Sequence, residues 1–298
     1  MKSFFLNRYE RLGQEIDPEI RLRHSIRMNT LKISEKELAE RLKKRGLKLE
    51  KIPFLSNGYY AEAEFALSSM PEHLLGYFYI QEAASQIPPE LMELEGTDMV
   101  LDMAASPGSK TSQIAQIMQN KGQIIALEAE ALRLKKLRNN LERLGVSNTT
   151  IYHKDALYCA DLGLKFDKIL VDAPCSGNFA TDPKWIENMQ ERGLEGLKNN
   201  SELQKKLLKA AIGVLKPNGL LIYSTCSLEP EENELNVDWL LGEFEGQIEL
   251  EKINLNIGEP GLIEFEDKAL NPELSKTRRL WPNKTGTQGF FIAKIRKL

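Results

Sequence analysis

Three features of this chain of 298 residues predict an α/β fold, a doubly wound and mostly parallel sheet preceded by a small α+β domain. From about residue 88 onward, apolar strand-like runs alternate with helical patterns, which is the signature of a parallel sheet with crossover helices. Before that point a short strand, a capped helix and a second strand form a separate pattern. Charge is also uneven: residues 1–51 hold 14 Lys+Arg against 8 Asp+Glu, although the whole chain carries 40 against 43. We therefore expect a smaller domain with its connecting segment over 1–87 and the main α/β domain over 88–298.

In the first part, Ser34-Glu35-Lys36-Glu37 is a capping box that opens a helix through LAERLKKRG, with Gly46 as its stop. SIRMNTL before it and LKLEKIPF after it read as short strands. The unit resembles an RNA-recognition fold, and its basic segment RLRHSIRMNTLK could contact phosphates. In the second part, strands are expected at 98–105, 122–130, 148–156, 166–174 and 218–227. Helices are expected at roughly 110–119, 130–144, 201–215 and 230–242, the second ended by Gly145. The final GFFIAKI, 289–295, reads as a last edge strand.

At 42% hydrophobic and 28% charged the composition is that of an ordinary globular protein. No run approaches the roughly 18 apolar residues of a membrane span, and MKSFFLNRYERLGQ lacks the apolar core of a secretory signal. We expect a cytoplasmic chain with no membrane partner, for which a monomer is a compatible state. His24, His73 and His153 are scattered, and the three cysteines lack metal-ligand spacing, so no metal is expected.

In a doubly wound sheet, ligands sit at the carboxyl ends of the strands, which directs attention to the first strand-to-helix turn, LDMAASPGSKTSQIA. It is not a P-loop, because alignment on Lys110-Thr111 puts Ala104 and Ser109 where both glycines belong. Nor is it G-x-G-x-x-G, since Gly108 is the only glycine between residues 97 and 121. What remains is a turn whose backbone can lie against a nucleoside with a charged amino-acid tail. S-adenosylmethionine fits that description. Its ribose diol wants a carboxylate at the end of the second strand, where Glu128 stands, and Asp155 after the third strand can accept from an adenine amino group. Arg133, one turn into the following helix, is a further candidate for this pocket.

The fourth strand ends VDAPCSG and the fifth YSTCS, so Cys175 and Cys226 emerge at one edge of the sheet beside that pocket. Cys159 reads as a small buried hydrophobe. Methylation of an amine or oxygen needs no thiol, whereas carbon 5 of a pyrimidine is a poor nucleophile until something adds at carbon 6. A thiolate can do that. Asp172 is placed to hydrogen-bond the cytosine edge during the addition. From these residues alone, either cysteine could be the nucleophile.

The chain resembles the Sun-type, or Fmu-type, RNA cytosine-5 methyltransferases over nearly its whole length. GYFYIQEAASQ (76–86), LDMAASPGSKT, DAPCSG, STCS, SIRMNTLK and GFFIAKIRK carry the resemblance, most closely to the short archaeal transfer-RNA enzymes. It implies a Rossmann-like class I methyltransferase fold, S-adenosylmethionine as methyl donor and RNA, with tRNA favoured over rRNA, as partner. It also implies that Cys226 is the nucleophile and that Cys175 assists product release. Ala104, Ala105, Ser106, Pro107, Gly108, Ser109 and Lys110, with Glu128, Asp155 and Asp172, would line the donor pocket, and Lys110 and Asp172 would lie near the base. Lys184 in DPKW matches a substrate-side segment. Ser106 and Ser109 depart from the family's usual Ala and Gly, and Asn283 stands where His is frequent. A non-catalytic RNA-binding protein and a methyltransferase for protein or small molecules are the competing classes, the latter independent of both thiols.

Overall fold

The computed structural model describes residues 4–177 and 185–298. The first part comprises α1 (Phe4–Arg11), β1 (Ser25–Met28), α2 (Glu35–Lys44), β2 (Lys48–Lys51), β3 (Gly58–Glu62), the single turn α3 (Pro71–Leu74) and β4 (Phe78–Ile80). Ser34 caps α2 by accepting from the Glu37 N–H, as its capping box requires. The strands form an antiparallel sheet in the order β2-β3-β1-β4, reached through a strand-helix-strand-strand-helix-strand path. Successive side chains of a strand point to opposite faces. Ile26 and Met28 therefore pack with Leu38 and Leu42 of α2, while Ser25 and Arg27 face the other way.

The chain continues through α4 (Ile87–Glu90), β5 (Met99–Asp102), α5 (Ser109–Ile117), β6 (Gln123–Glu128), α6 (Ala131–Leu144), β7 (Thr149–His153) and β8 (Phe166–Asp172). After these come α7 (Trp185–Val214), β9 (Leu215–Thr225), α8 (Glu234–Glu243), β10 (Ile248–Glu251), β11 (Glu259–Pro260), β12 (Glu264–Phe265), β13 (Lys268–Ala269), β14 (Arg278–Leu280), α9 (Pro282–Thr285) and β15 (Phe290–Lys297). The large sheet runs β11-β14-β15-β9-β8-β5-β6-β7, with β10 also paired to β15. Its core strands β9, β8, β5, β6 and β7 are parallel, as the alternating pattern predicts. Leu101, Val171 and Tyr223 face one apolar layer with Leu208 of α7 and Leu240 of α8. Their neighbours Val100, Leu170 and Ile222 face the other, with Ile87 of α4 and Ile114 of α5. Burial on both faces explains why these strands read as continuous apolar runs. Among the described residues no helix is long and apolar enough to cross a membrane.

Two expectations need correction. GFFIAKI is not an edge: β15 pairs along its length with β9 and carries β14 and β10 on its other side. Those partners are only three and four residues long, too short to show a period of their own. The helix expected at 230–242 is also broken, a 3-10 turn at Pro230–Glu232 giving way to α8 across Asn233, whose φ of −116° and ψ of −100° are not helical.

The N-terminal sheet is joined to the larger one through the face that an RNA-recognition fold leaves open for stacked bases. Here α5 closes it. Arg27 is fully buried and donates to Gln81 Oε1 (3.0 Å), Ser112 Oγ (2.7 Å) and the Gln116 side-chain oxygen, while Gln116 donates back to the Met28 carbonyl (3.0 Å). Burial lowers the Arg27 pKa to about 9, only partly offset by Tyr79 and the Glu90 carboxylate. At the opposite side α1 is held by Arg8 on Glu231 (2.7 Å) and by the Tyr9 hydroxyl on Glu229 Oε1 (2.6 Å).

A second buried cation braces the segment after β9. Arg279 donates two bonds to Glu234 (2.7 and 2.5 Å) and a third to the Leu228 carbonyl (2.7 Å), with both side chains essentially inaccessible. Removing one partner of such a pair leaves a buried charge uncompensated, at a cost of about 3–5 kcal/mol. Arg279→Met should lower the unfolding free energy by that order in a urea titration; a loss under about 1 kcal/mol would show that the pair contributes little.

Candidate active site

Strands β5, β8 and β9 end side by side, and a cavity of about 220 Å³ opens at their carboxyl ends. It is bounded by the turn after β5, by Asp172 and Ala173 after β8, by Cys226 after β9, and by Ser85, Gln288 and Phe290. Lys110, in the first turn of α5 and only 7% exposed, donates to Asp172 Oδ2 (2.7 Å) and to Ser85 Oγ (2.9 Å). The other Asp172 oxygen accepts from Ser224 Oγ (2.8 Å). Asp102, the last residue of β5, accepts from Thr111 Oγ1 (2.7 Å), and burial, with Asp172 nearby, raises its pKa to about 6.

The turn itself explains the departures at its two serines. Gly108 has a φ of 101° and precedes Ser109, which begins α5 in helical geometry. The left-handed position is therefore 108, and a side chain there would also meet Leu137 at 3.1 Å. Ser106 Oγ donates to the Arg133 carbonyl (3.0 Å), and the Arg133 guanidinium donates to the Ser106 carbonyl (3.1 Å), tying the turn to α6. Ala104, Ala105, Ser106, Pro107, Ser109 and Lys110 line the cavity, whereas Gly108 supports it from behind.

Glu128 ends β6 with one oxygen on the Glu130 N–H (2.9 Å) and the other 3.6 Å from Arg133 Nε. Asp155 follows β7 and caps the next 3-10 helix by accepting from the Leu157 N–H (2.9 Å). Neither borders the cavity, and nor does Arg133. Cys159 is fully buried and its thiol is pushed up by burial, the environment of a packing residue. Lys184 lies outside the described residues.

The structure brings Cys175 and Cys226 into contact, with their sulfurs 3.2 Å apart. The serines that follow them are bonded as well, Ser176 Oγ to Ser227 Oγ at 3.0 Å. Within this pair the hydrogen bond with Cys175 draws the Cys226 thiol below its ordinary value against the opposing pull of burial and the Asp172 carboxylate, with the Lys110 ammonium adding to the lowering. The same contact, burial and the Glu232 carboxylate push the Cys175 thiol well up. The site thus holds two thiols in contact, one drawn down and one pushed up, and a lysine-aspartate pair at the cavity wall.

Several of these residues escape sequence reasoning. Asp102 carries a detectable signal as the strand-end acid of LDMAA. Ser85 and Phe290 do not, because they belong to distant segments that meet the turn only after folding. Glu232 sits in an acidic run that reads as solvated, yet it is fully buried beneath Ser176.

Comparison with known proteins places the chain among RNA methyltransferases. A family model described as 16S rRNA methyltransferase RsmB/F matches residues 89–296, and one described as the N-terminal domain of 16S rRNA methyltransferase RsmF matches 1–83. The chain is 40% identical over 284 residues to the tRNA (cytosine(49)-C(5))-methyltransferase of Pyrococcus abyssi, covering 93% of this chain and 88% of that enzyme. It is also 40% identical to the ribosomal RNA small subunit methyltransferase F of Shewanella piezotolerans, of which it spans 58% of the length. Among solved structures, a methyltransferase homolog from Pyrococcus horikoshii superposes with a TM-score of 0.86 at 43% identity, over 94% of this chain and 88% of the other. NSun6 from the same organism, solved with SFG, gives 0.84 at 31% identity, over 94% and 92%.

The thiol pair makes a prediction of its own. Iodoacetamide should label Cys226 ahead of Cys175, and Cys175→Ala, which removes the donated hydrogen bond, should move the pH midpoint of Cys226 labelling upward. Preferential labelling of Cys175, or an unmoved midpoint, would contradict the assignment.

Proposed function

The chain belongs to the RsmB/F family of RNA methyltransferases, and from that premise we propose that it methylates carbon 5 of cytosine in tRNA, using S-adenosylmethionine and a covalent Cys226 adduct. The observation that carries this reading is the contact of two thiols of unequal acidity beside the Lys110–Asp172 pair. A reaction at nitrogen or oxygen would have no use for either sulfur.

The residues present suit the donor. Backbone of the 104–109 turn borders the cavity, and the Glu128 oxygen that meets Arg133 only at 3.6 Å keeps capacity for a diol. We assign Ala104 to Lys110, Glu128, Arg133, Asp155 and Asp172 to its binding. The relative solved with SFG, an S-adenosylmethionine analogue, supports the choice of donor. When bound, S-adenosylmethionine supplies a methyl group on a sulfonium.

In the proposed course the Cys226 thiolate adds to carbon 6 of the cytosine, forming the S–C bond and pushing an electron pair toward carbon 5. Asp172 bonds the base edge, and the Lys110 charge offsets the electron density that gathers on the ring. Once carbon 5 carries the methyl group, a solvent water takes its remaining proton, the C–H pair re-forms the carbon 5–carbon 6 double bond, and the S–C bond breaks with its electron pair going to the Cys226 sulfur. The Cys175 thiol, in contact with that sulfur at 3.2 Å, donates to it and stabilises it as it leaves. The target base must be unpaired or flipped from its stack to reach the strand ends.

We assign residues 88–298 to methyl transfer and 1–87 to RNA binding. With Arg27 buried at the joint, exposed Arg21, Lys43 and Lys44 are among the side chains on the remaining N-terminal surface that can meet phosphates. The tRNA enzyme from P. abyssi aligns over most of both chains, which favours tRNA; the S. piezotolerans relative at equal identity makes rRNA the second reading.

The full chain, supplied with radiolabelled S-adenosylmethionine, should label an unmodified tRNA transcript at cytosine, as read by bisulfite sequencing. Cys226→Ala should reduce the rate by at least about 10³-fold, the scale of losing a catalytic nucleophile. Cys175→Ala should leave a protein–RNA adduct that survives a denaturing gel. Labelling of 16S rRNA alone would transfer the activity to the second substrate, and unchanged labelling by Cys226→Ala would overturn the covalent course.

A further inference from the structure

Glu232 has no role in the reaction described above, although it is fully buried within the same cluster as both thiols. Its Oε1 accepts from the Ser176 N–H (2.9 Å), Asn200 Nδ2 (2.9 Å) and Gln204 Nε2 (3.2 Å), and its Oε2 from Ser176 Oγ (2.6 Å). Gln204 Nε2 also donates to the Pro174 carbonyl (2.8 Å), so the residues on both sides of Cys175 are bonded to Glu232 or to its partner. Asn236 fixes Gln204 in turn (2.7 Å), and Ser176 Oγ continues to Ser227 Oγ beside Cys226. No regular element positions Cys175: it lies in a short stretch after β8, and Glu232 supplies the bonds that a helix or strand would.

We propose that Glu232 is a positioning residue that holds the Cys175 loop in contact with Cys226, and that it acts in release of the methylated base rather than in its attack. The inference rests on the covalent course proposed above. Cys226 itself continues directly from β9, which is paired on both sides, so its place depends on Glu232 less than that of Cys175 does. The carboxylate also lies near Cys175 and favours its protonated state, consistent with a thiol that donates to the departing sulfur.

The test compares Glu232→Ala, Cys175→Ala and the double variant as full chains, with tRNA transcript and S-adenosylmethionine. Glu232→Ala should keep single-turnover methyl transfer, accumulate a gel-stable adduct as Cys175→Ala does, and lose turnover on the order of 10²-fold, the scale of misplacing a group by about 1 Å. In the double variant turnover should fall no further than in Cys175→Ala alone, since one residue acts through the other. Rescue of most of the loss by the isosteric Glu232→Gln is expected. Should Glu232→Ala fail to fold, Ser176→Ala cuts the same bond from the loop side and should show the same adduct. Loss of adduct with loss of turnover, or multiplicative losses in the double variant, would overturn the role of Glu232. An absence of adduct in Cys175→Ala would instead count against the covalent course, and the turnover cycle would still decide whether Glu232 and Cys175 act together.

Discussion

Two sulfur atoms 3.2 Å apart can share one proton only if the loops that carry them are held in register, and much of the structure serves that requirement. Parallel pairing of β8 with β9 sets Asp172 opposite Ser224, so both thiols leave the sheet at the same edge. Beyond the last paired residues, a polar cluster takes over. Ser176 is bonded to Ser227 and Glu232, Thr225 to Asn233, and Asn233 back to the Ser227 carbonyl (2.9 Å). A buried cluster of this kind is stable only when its members find partners, and it then specifies a single arrangement. The Arg279–Glu234 pair fixes the next segment through Leu228.

The same constraint gives the N-terminal part a second duty. Its sheet does not present an open face to solvent; Arg27 and Gln116 knit that face to α5, the helix whose first turn supplies Lys110. Arg27 donates to Ser112 Oγ and to the Ser109 carbonyl (3.4 Å), so β1 is bonded directly to the lysine-bearing turn. The inner surface of this part is thus taken up by α5, and the proposed RNA contacts are left to its outer surface.

Parallel strands, their helices and the two thiols were legible because each has a local signal: buried apolar runs, helical spacing, and cysteines at strand ends. Ser34 and Gly108 were legible for the same reason, a cap and a left-handed turn being dictated by residue type. The position of β15 was not, since an apolar run is the same in sequence whether one neighbour or two will pair with it. The basic segment that contains Arg27 read as able to contact phosphates because such a run is ordinarily solvated, and only the meeting of β1 with α5 turns Arg27 inward. Glu232 escaped notice likewise: its partners Ser176, Asn200 and Gln204 come from a different stretch of chain. For Glu128 and Asp155, strand-end placement was legible, and the structure adds their backbone partners.

The central claim is that Cys226, and not Cys175, forms the bond to the base. A tRNA transcript made with 5-fluorocytosine places at carbon 5 a substituent that cannot leave as a proton, so the wild-type chain should arrest after methyl transfer with the base still attached. Mass spectrometry of the digested complex then reads the attachment site. Our account predicts the nucleotide on the peptide containing Cys226; a nucleotide on the peptide containing Cys175 would contradict it.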